Sequence, residues 1–260
     1  MKIIVLTENH AGGQYGAEHG LSYFIESKGF KLLLDTGHSD LFLRNAEKGG
    51  INLNEEVDTI VLSHGHWDHG NGLEYLQGKK LICHPGSFMK RYRKGGIDNI
   101  GLNRPRSFYS DHFDLEESIE PLEIFPSVFF LGEIPRKTSF ESRVTPFTDE
   151  LDQPDYVPDD SAIAIVSDNK LSVLSGCAHS GIVNIIEHAR EVSRVYELKM
   201  VIGGFHLKQR NEQTMKTLEF FKKNPPEILI PSHCTDLPAL TLFHDAFKTP
   251  FLKTGDIINF

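Results

Sequence analysis

The stretch VLSHGHWDHG, residues 61 to 70, sets three histidines and an aspartate within six positions, directly behind a short apolar run. Imidazole nitrogens and carboxylate oxygens are ligands for zinc, iron or manganese, and packing does not account for four such groups this close together. His64 and His66 stand two apart, so at the end of a strand their rings point to one side, while Asp68 and His69 open the next turn. The competing reading, a solvated loop whose residues share a turn by accident, is the weaker one. The stretch reads as a metal site whose remaining ligands come from elsewhere in the chain.

Other apolar runs end in the same way. LSVLSG leads into Cys177 and His179, KMVIGGF into His206, EILIPS into His233, and KLLLD closes on Asp35. In open α/β sheets the functional crevice lies at the carboxyl ends of the strands, where loops from different strands converge. One histidine after a strand is more often a hydrogen-bonded loop residue, and one cysteine more often a small buried hydrophobe. Four strand ends delivering histidine make coincidence a poor account. Asp35 either caps the turn DTGHSD or orients a ligand histidine from behind.

The elements that must carry these residues alternate. KIIVLT, LSYFIES and KLLLDTG read as strands, the last two joined at a Lys28-Gly29 turn; residues 39 to 48 read as a helix, VDTIVLS and KKLICHPG as strands, and GLEYL as a short helix. After an aperiodic stretch come SVFFLGE, SAIAIVS, LSVLSG, a helix near 181 to 193, KMVIGG, a helix near 210 to 223, and EILIPS. This is an α/β pattern, and 260 residues suit one large domain spanning 1 to 260. Residues 88 to 126 read as an insertion or lid. Over residues 90 to 106 within it, Lys90, Arg91, Arg93, Lys94, Arg104 and Arg106 face a single acid, Asp98, which suggests an anion-binding segment with Phe108 or Tyr109 for ring stacking; a solvated surface loop is the alternative. Arg136, in GEIPR, either pairs with Glu133 or reaches an anionic substrate.

Composition narrows the function further. A net charge of -9 argues against a general nucleic-acid binder. No run approaches the roughly 18 apolar residues of a membrane span, and MKIIVLTENH turns polar too soon for a secretory signal, so a cytoplasmic protein is expected. Three cysteines, Cys83, Cys177 and Cys234, form no paired pattern, and reduced thiols are the default.

SHGHWDHGNGL resembles the His-x-His-x-Asp-His signature of the metallo-β-lactamase superfamily, with LLLDTG and IPSHC where that superfamily places its first and last motifs. EHGLS, GEIPR, SGCAHSGIVNI and GGFHL resemble the branch that contains the dihydropterin ribofuranosylaminobenzene phosphate synthase of methanopterin biosynthesis. The resemblance implies an αββα sandwich and two divalent metal ions, zinc first and iron or manganese as alternatives. His64, His66 and His179 would hold one ion and Asp68, His69 and His233 the other. Two departures stand out. Between residues 70 and 176 there are only His84 and His112 for the further metal histidine of glyoxalase-type members, and SGCAHSG occupies the place of the bridging aspartate, leaving Cys177 or His179 to substitute. His206 matches none of the commoner motifs and reads as a spare histidine aimed at the site, either as ligand or as substrate contact.

The expected chemistry is hydrolysis of a small anionic substrate by metal-activated hydroxide, with Asp68 and His206 as catalytic residues and Arg104, Arg106 and Arg136 as substrate contacts. A transferase that displaces pyrophosphate, as the pterin branch implies, uses the same ligands, and a non-catalytic metal-binding protein is a third class. Neither nucleic acid nor membrane is expected as a partner.

Overall fold

The computed structural model describes residues 1–27 and 29–260, so the turn expected at Lys28-Gly29 lies partly outside the described residues. The chain runs through β1 (Lys2–Thr7), β2 (Ser22–Ser27), β3 (Phe30–Leu34), α1 (Leu41–Lys48), α2 (Leu53–Glu56), β4 (Thr59–Val61), α3 (Trp67–Gly70), β5 (Lys80–Cys83), β6 (Arg91–Arg93), α4 (Arg106–His112) and β7 (Asp114–Glu117). It continues through β8 (Leu122–Phe125), β9 (Val128–Phe130), β10 (Phe147–Asp149), β11 (Ala162–Ser167), β12 (Lys170–Ser175), α5 (Ile182–Ser193), β13 (Leu198–Gly204), α6 (Glu212–Lys223), β14 (Ile228–Ser232), α7 (Leu237–Phe247) and β15 (Ile257–Asn259).

These elements form two compact units. The first comprises residues 1–119, 146–155 and 253–260; the second comprises 120–145 and 156–252. Unit 1 is built on a seven-stranded sheet ordered β15-β1-β2-β3-β4-β5-β7, with a separate β10-β6 ribbon. β1, β2 and β3 pair antiparallel, and β3, β4, β5 and β7 run parallel. A parallel strand is covered on both faces and so reads as a continuous apolar run. Ile60, Val61, Leu81 and Ile82 are accordingly buried, and Ile60 and Leu81 share a core with Phe42, Ala46 and Leu73 from the helical segments. Residues 88 to 126, read from sequence as an insertion without period, carry regular structure: β6, α4, β7 and β8 all fall there. Charged and aromatic side chains hide their periodicity.

Unit 2 carries a six-stranded sheet ordered β14-β13-β12-β11-β9-β8, in which β12, β13 and β14 are parallel. α5 buries Ile182, Val183, Ile185, Ile186 and Ala189, a stripe at helical spacing, into a core with Val173, Val201, Phe205, Phe221 and Phe243. Burying each such aliphatic or aromatic side chain contributes about 1.5–3 kcal/mol, which fixes the strands whose carboxyl ends carry the polar residues. Among the described residues no helix is long and apolar enough to cross a membrane.

Candidate metal centre

In unit 1 the signature follows β4. β4 ends at Val61, Leu62 and Ser63 lead on to His64, and α3 then carries Asp68 and His69. Gly65 lets this turn form: a Cβ there would stand 1.9 Å from the carbonyl oxygen of Ser87, so any side chain would push the turn away. Asp35 leaves β3 in the left-handed region, with φ 57°, a strained conformation for a residue with a Cβ that the surroundings must hold in place.

Asp35 organises the histidines. Its Oδ1 accepts from the Ser63 backbone N–H at 2.7 Å, and its Oδ2 accepts from the Ser63 hydroxyl and from His69 Nδ1–H, each at 2.7 Å. Because the hydroxyl proton goes to Asp35, Ser63 Oγ is left to accept from His64 Nδ1–H, at 2.9 Å. Both rings are thereby set in the tautomer whose Nε2 lone pair is outward. His64 Nε2 lies 2.9 Å from His66 Nδ1, and the His64 and His69 rings are 4.2 Å apart. Asp68 Oδ2 sits 3.8 Å from His69 Nε2 and 3.2 Å from His19 Nε2.

The arrangement fits a divalent transition metal. Two nitrogens bound to one tetrahedral zinc at ~2.0 Å are separated by roughly 3.3 Å, close to the His64–His66 spacing. Burial pushes the His64 imidazole well below its usual 6.5, with the charges of His69 and His66 acting in the same direction and Asp68 opposing. A neutral imidazole is the form that binds metal.

In unit 2 the donors stand at the ends of three parallel strands. Cys177 and His179 follow β12, His206 follows β13, and His233 and Cys234 follow β14. Ala178, His206 and His233 all have positive φ, at 54°, 49° and 50°, so each strand leaves its sheet through a backbone conformation that non-glycine residues seldom adopt. The His179 and His206 rings are 4.4 Å apart, and the donor atoms of Cys177, His233 and Cys234 lie within 4.8 Å of one another. Two buried acids brace the turn after Cys177. Asp160 accepts from the Ser180 backbone N–H at 2.8 Å and from the Ser180 hydroxyl. Glu141 accepts from the N–H groups of Val183 and Asn184 at 3.0 and 2.9 Å. Burial raises the carboxyl of Asp160, and pushes that of Glu141 up to about 7 against these hydrogen bonds.

Comparison with known proteins assigns the family. The model of the metallo-β-lactamase superfamily matches residues 15–84. The 7,8-dihydropterin-6-methyl-4-(β-D-ribofuranosyl)-aminobenzene-5'-phosphate synthase of Methanocaldococcus jannaschii is 32% identical over 287 residues, covering 100% of this chain and 97% of its own. An uncharacterised protein of the same organism is 32% identical over 264 residues, covering 99% of each chain. The chain belongs to the metallo-β-lactamase superfamily. The solved structure of Tm1679, titled a metal-dependent hydrolase of the β-lactamase superfamily, superposes with a TM-score of 0.88 at 28% identity, covering 100% of this chain and 99% of that one.

Within the superfamily fold, the residues expected from sequence divide cleanly. Asp35, His64, His66, Asp68 and His69 cluster in unit 1, while Cys177, His179, His206 and His233 occupy the strand ends of unit 2. The basic segment behaves otherwise. Arg104 bonds Glu74 at 3.0 Å, Arg106 pairs with Glu117, Lys90 with Glu150 at 3.3 Å, and the fully buried Arg91 with Asp155 at 3.0 Å. Acids outside residues 90–106 thus pair with four of the six basic residues. Arg136 donates to the carbonyls of His179 and Val157, at 3.3 and 3.2 Å, and to Ser142 Oγ. His84 stands at the end of β5, a strand end not counted in the sequence reading, and accepts from Gly86 N–H at 3.0 Å; His112 donates to the Phe108 carbonyl at 2.7 Å. Sequence reasoning missed Ser63, His19, Asp160 and Glu141. Ser63 had a signal, its place beside His64; the others act across gaps of 20 residues or more in sequence.

Proposed function

We propose that this protein is a metal-dependent hydrolase acting on a small anionic substrate. The observation that carries the reading is the Asp35–Ser63–His64 and Asp35–His69 network, which holds two imidazoles in the ligand tautomer inside a buried cluster. His64, His66 and His179 would hold one divalent ion and Asp68, His69 and His233 a second, with zinc as the first expectation and iron or manganese as alternatives. Bound there, such ions supply Lewis acidity and lower the pKa of water to about 7.

The chain's own residues supply the rest. Asp68, whose Oδ2 faces His19 and His69, orients the attacking water and takes its proton. His206, 4.4 Å from His179 ring to ring, contacts the substrate oxygen on which negative charge develops. Arg136 is held near the His179 backbone and exchanges one carbonyl partner for an anionic group; Arg104 and Arg106 bind the substrate only by giving up Glu74 and Glu117. A net charge of -9 supports a small molecule over nucleic acid as the substrate.

A second reading is favoured by one observation, the 32% identity across the whole chain to a protein named as a synthase. In that reading the same residues bind a departing pyrophosphate while a second substrate attacks. Turnover in isotope-labelled water separates the two. A hydrolase incorporates solvent oxygen into product, read by mass spectrometry with candidate phosphorylated substrates. Unlabelled product formed only with a pterin co-substrate present would overturn the hydrolase.

A further inference from the structure

Cys177 and Cys234 come from strands that are not neighbours, since β13 lies between β12 and β14. They meet because β13 ends in glycine. A Cβ at Gly204 would stand 2.5 Å from Cys234 Sγ and 3.2 Å from Cys177 Cα, so the missing side chain is what opens the space over the middle strand. The three strand ends are locked to one another by backbone: Gly204 N–H donates to the Gly176 carbonyl at 2.9 Å, and Phe205 N–H to Thr235 Oγ1 at 3.0 Å. Cys234 Sγ lies 3.4 Å from the Cys177 carbonyl oxygen, and no disulfide joins the two. His233, in the left-handed conformation that turns it off the strand axis, completes a group of two sulfurs and one imidazole nitrogen within 4.8 Å.

We propose that Cys177, Cys234 and His233 form a thiolate–imidazole metal site, and that this site makes the protein select thiophilic ions over magnesium or manganese. The inference rests on the metal-centre reading above and deepens it, because the two sulfurs would join His233 on the ion that His233 holds in that reading. Sulfur donors favour zinc, cobalt, cadmium or ferrous iron, whereas magnesium and manganese favour oxygen. Two sulfurs bound to one ion at ~2.3 Å and a nitrogen at ~2.0 Å are mutually separated by less than about 4 Å, and small side-chain rotations bring the three donors to that spacing. All three residues are buried, so water does not compete for the ion. Each cysteine gives up its thiol proton to solvent on binding. The sequence reading named Cys177 as a substitute bridge; the structure adds Cys234 as its partner.

The test loads the full-length protein with cobalt and records its absorption spectrum beside elemental analysis. Wild type should show sulfur-to-cobalt charge-transfer absorption in the near ultraviolet. Cys177→Ser and Cys234→Ser should each remove about half of that intensity, as expected for two sulfur ligands, and the double variant should remove it all. Cys83→Ser, whose thiol lies on β5 in unit 1, should leave it unchanged. Circular dichroism confirms that each variant is folded. Cobalt bound without any sulfur band would overturn this site and leave the hydrolase reading standing. A thiol count two short of three, restored by reductant, would also overturn it in favour of a disulfide. A wild type that binds no cobalt would overturn both readings, whereas a sulfur band with no solvent oxygen in product would spare this site alone.

Discussion

Asp35 is the residue on which the unit 1 donors depend. One carboxylate receives a backbone N–H, a hydroxyl and an imidazole N–H, and through them fixes the rotation of His64 and His69. Groups that orient a ligand histidine from behind typically change metal affinity 10–100-fold when altered. Asp35→Asn should therefore weaken zinc binding by about 10–100-fold, because an amide has a single acceptor oxygen for three donors. Competition with a chromophoric chelator measures the change. An unaltered zinc affinity in a folded variant would show that the carboxylate is structural and leaves the rings unaffected. Ser63→Ala should act in the same direction through His64 alone.

At the scale of elements, α5 is preceded at its N-cap by Gly181, which has no side chain with which to cap the helix. The cap comes instead from Glu141, far off in sequence, whose two oxygens accept from Val183 and Asn184. The helix N-terminus favours the ionised carboxylate, yet burial outweighs it and raises the carboxyl to about 7 from 4.5. A folded-state pKa raised above the unfolded value gives stability that is complete below about pH 4.5 and is lost as pH rises through about 7. The shift corresponds to about 3 kcal/mol. The unfolding free energy of wild type minus that of Glu141→Gln, followed by denaturant titration, should fall between pH 4.5 and 7; a flat difference would mean that Glu141 ionises as it does in the unfolded chain. The same device explains what was legible in sequence and what was not. The strand ends could be read because an apolar run followed by histidine is a local pattern. The braces could not, since Glu141 and Asp160 reach the turn from 20 to 43 residues away. The acids that pair with the basic segment, Glu74, Glu117, Glu150 and Asp155, lie outside residues 90–106 and were not legible for the same reason.

For the whole molecule, the path of the chain matters more than its length. Unit 1 is assembled from three separate stretches, and its last strand, β15, pairs with β1 to cover an edge that would otherwise be open. The middle stretch, 146–155, is tied in by the β10-β6 ribbon and by a buried ion pair in which Arg91 Nε lies 3.0 Å from Asp155 Oδ2. Arg91 is fully buried and also donates to the Gly86 carbonyl at 3.4 Å, so the ribbon stands on a charge that has no access to water. Removing one partner of such a pair strands the other, and typically costs 3–5 kcal/mol, whereas replacing both with apolar residues of similar volume is often neutral. Asp155→Asn should accordingly lower the unfolding free energy by about 3–5 kcal/mol, read from the midpoint of a urea titration with the slope unchanged. The double variant Arg91→Met/Asp155→Leu should recover most of that loss, because it removes the buried charge together with its counterion. If the double variant is as unstable as the single one, the ion pair itself, and not the penalty of an uncompensated charge, is what holds residues 146–155 in unit 1.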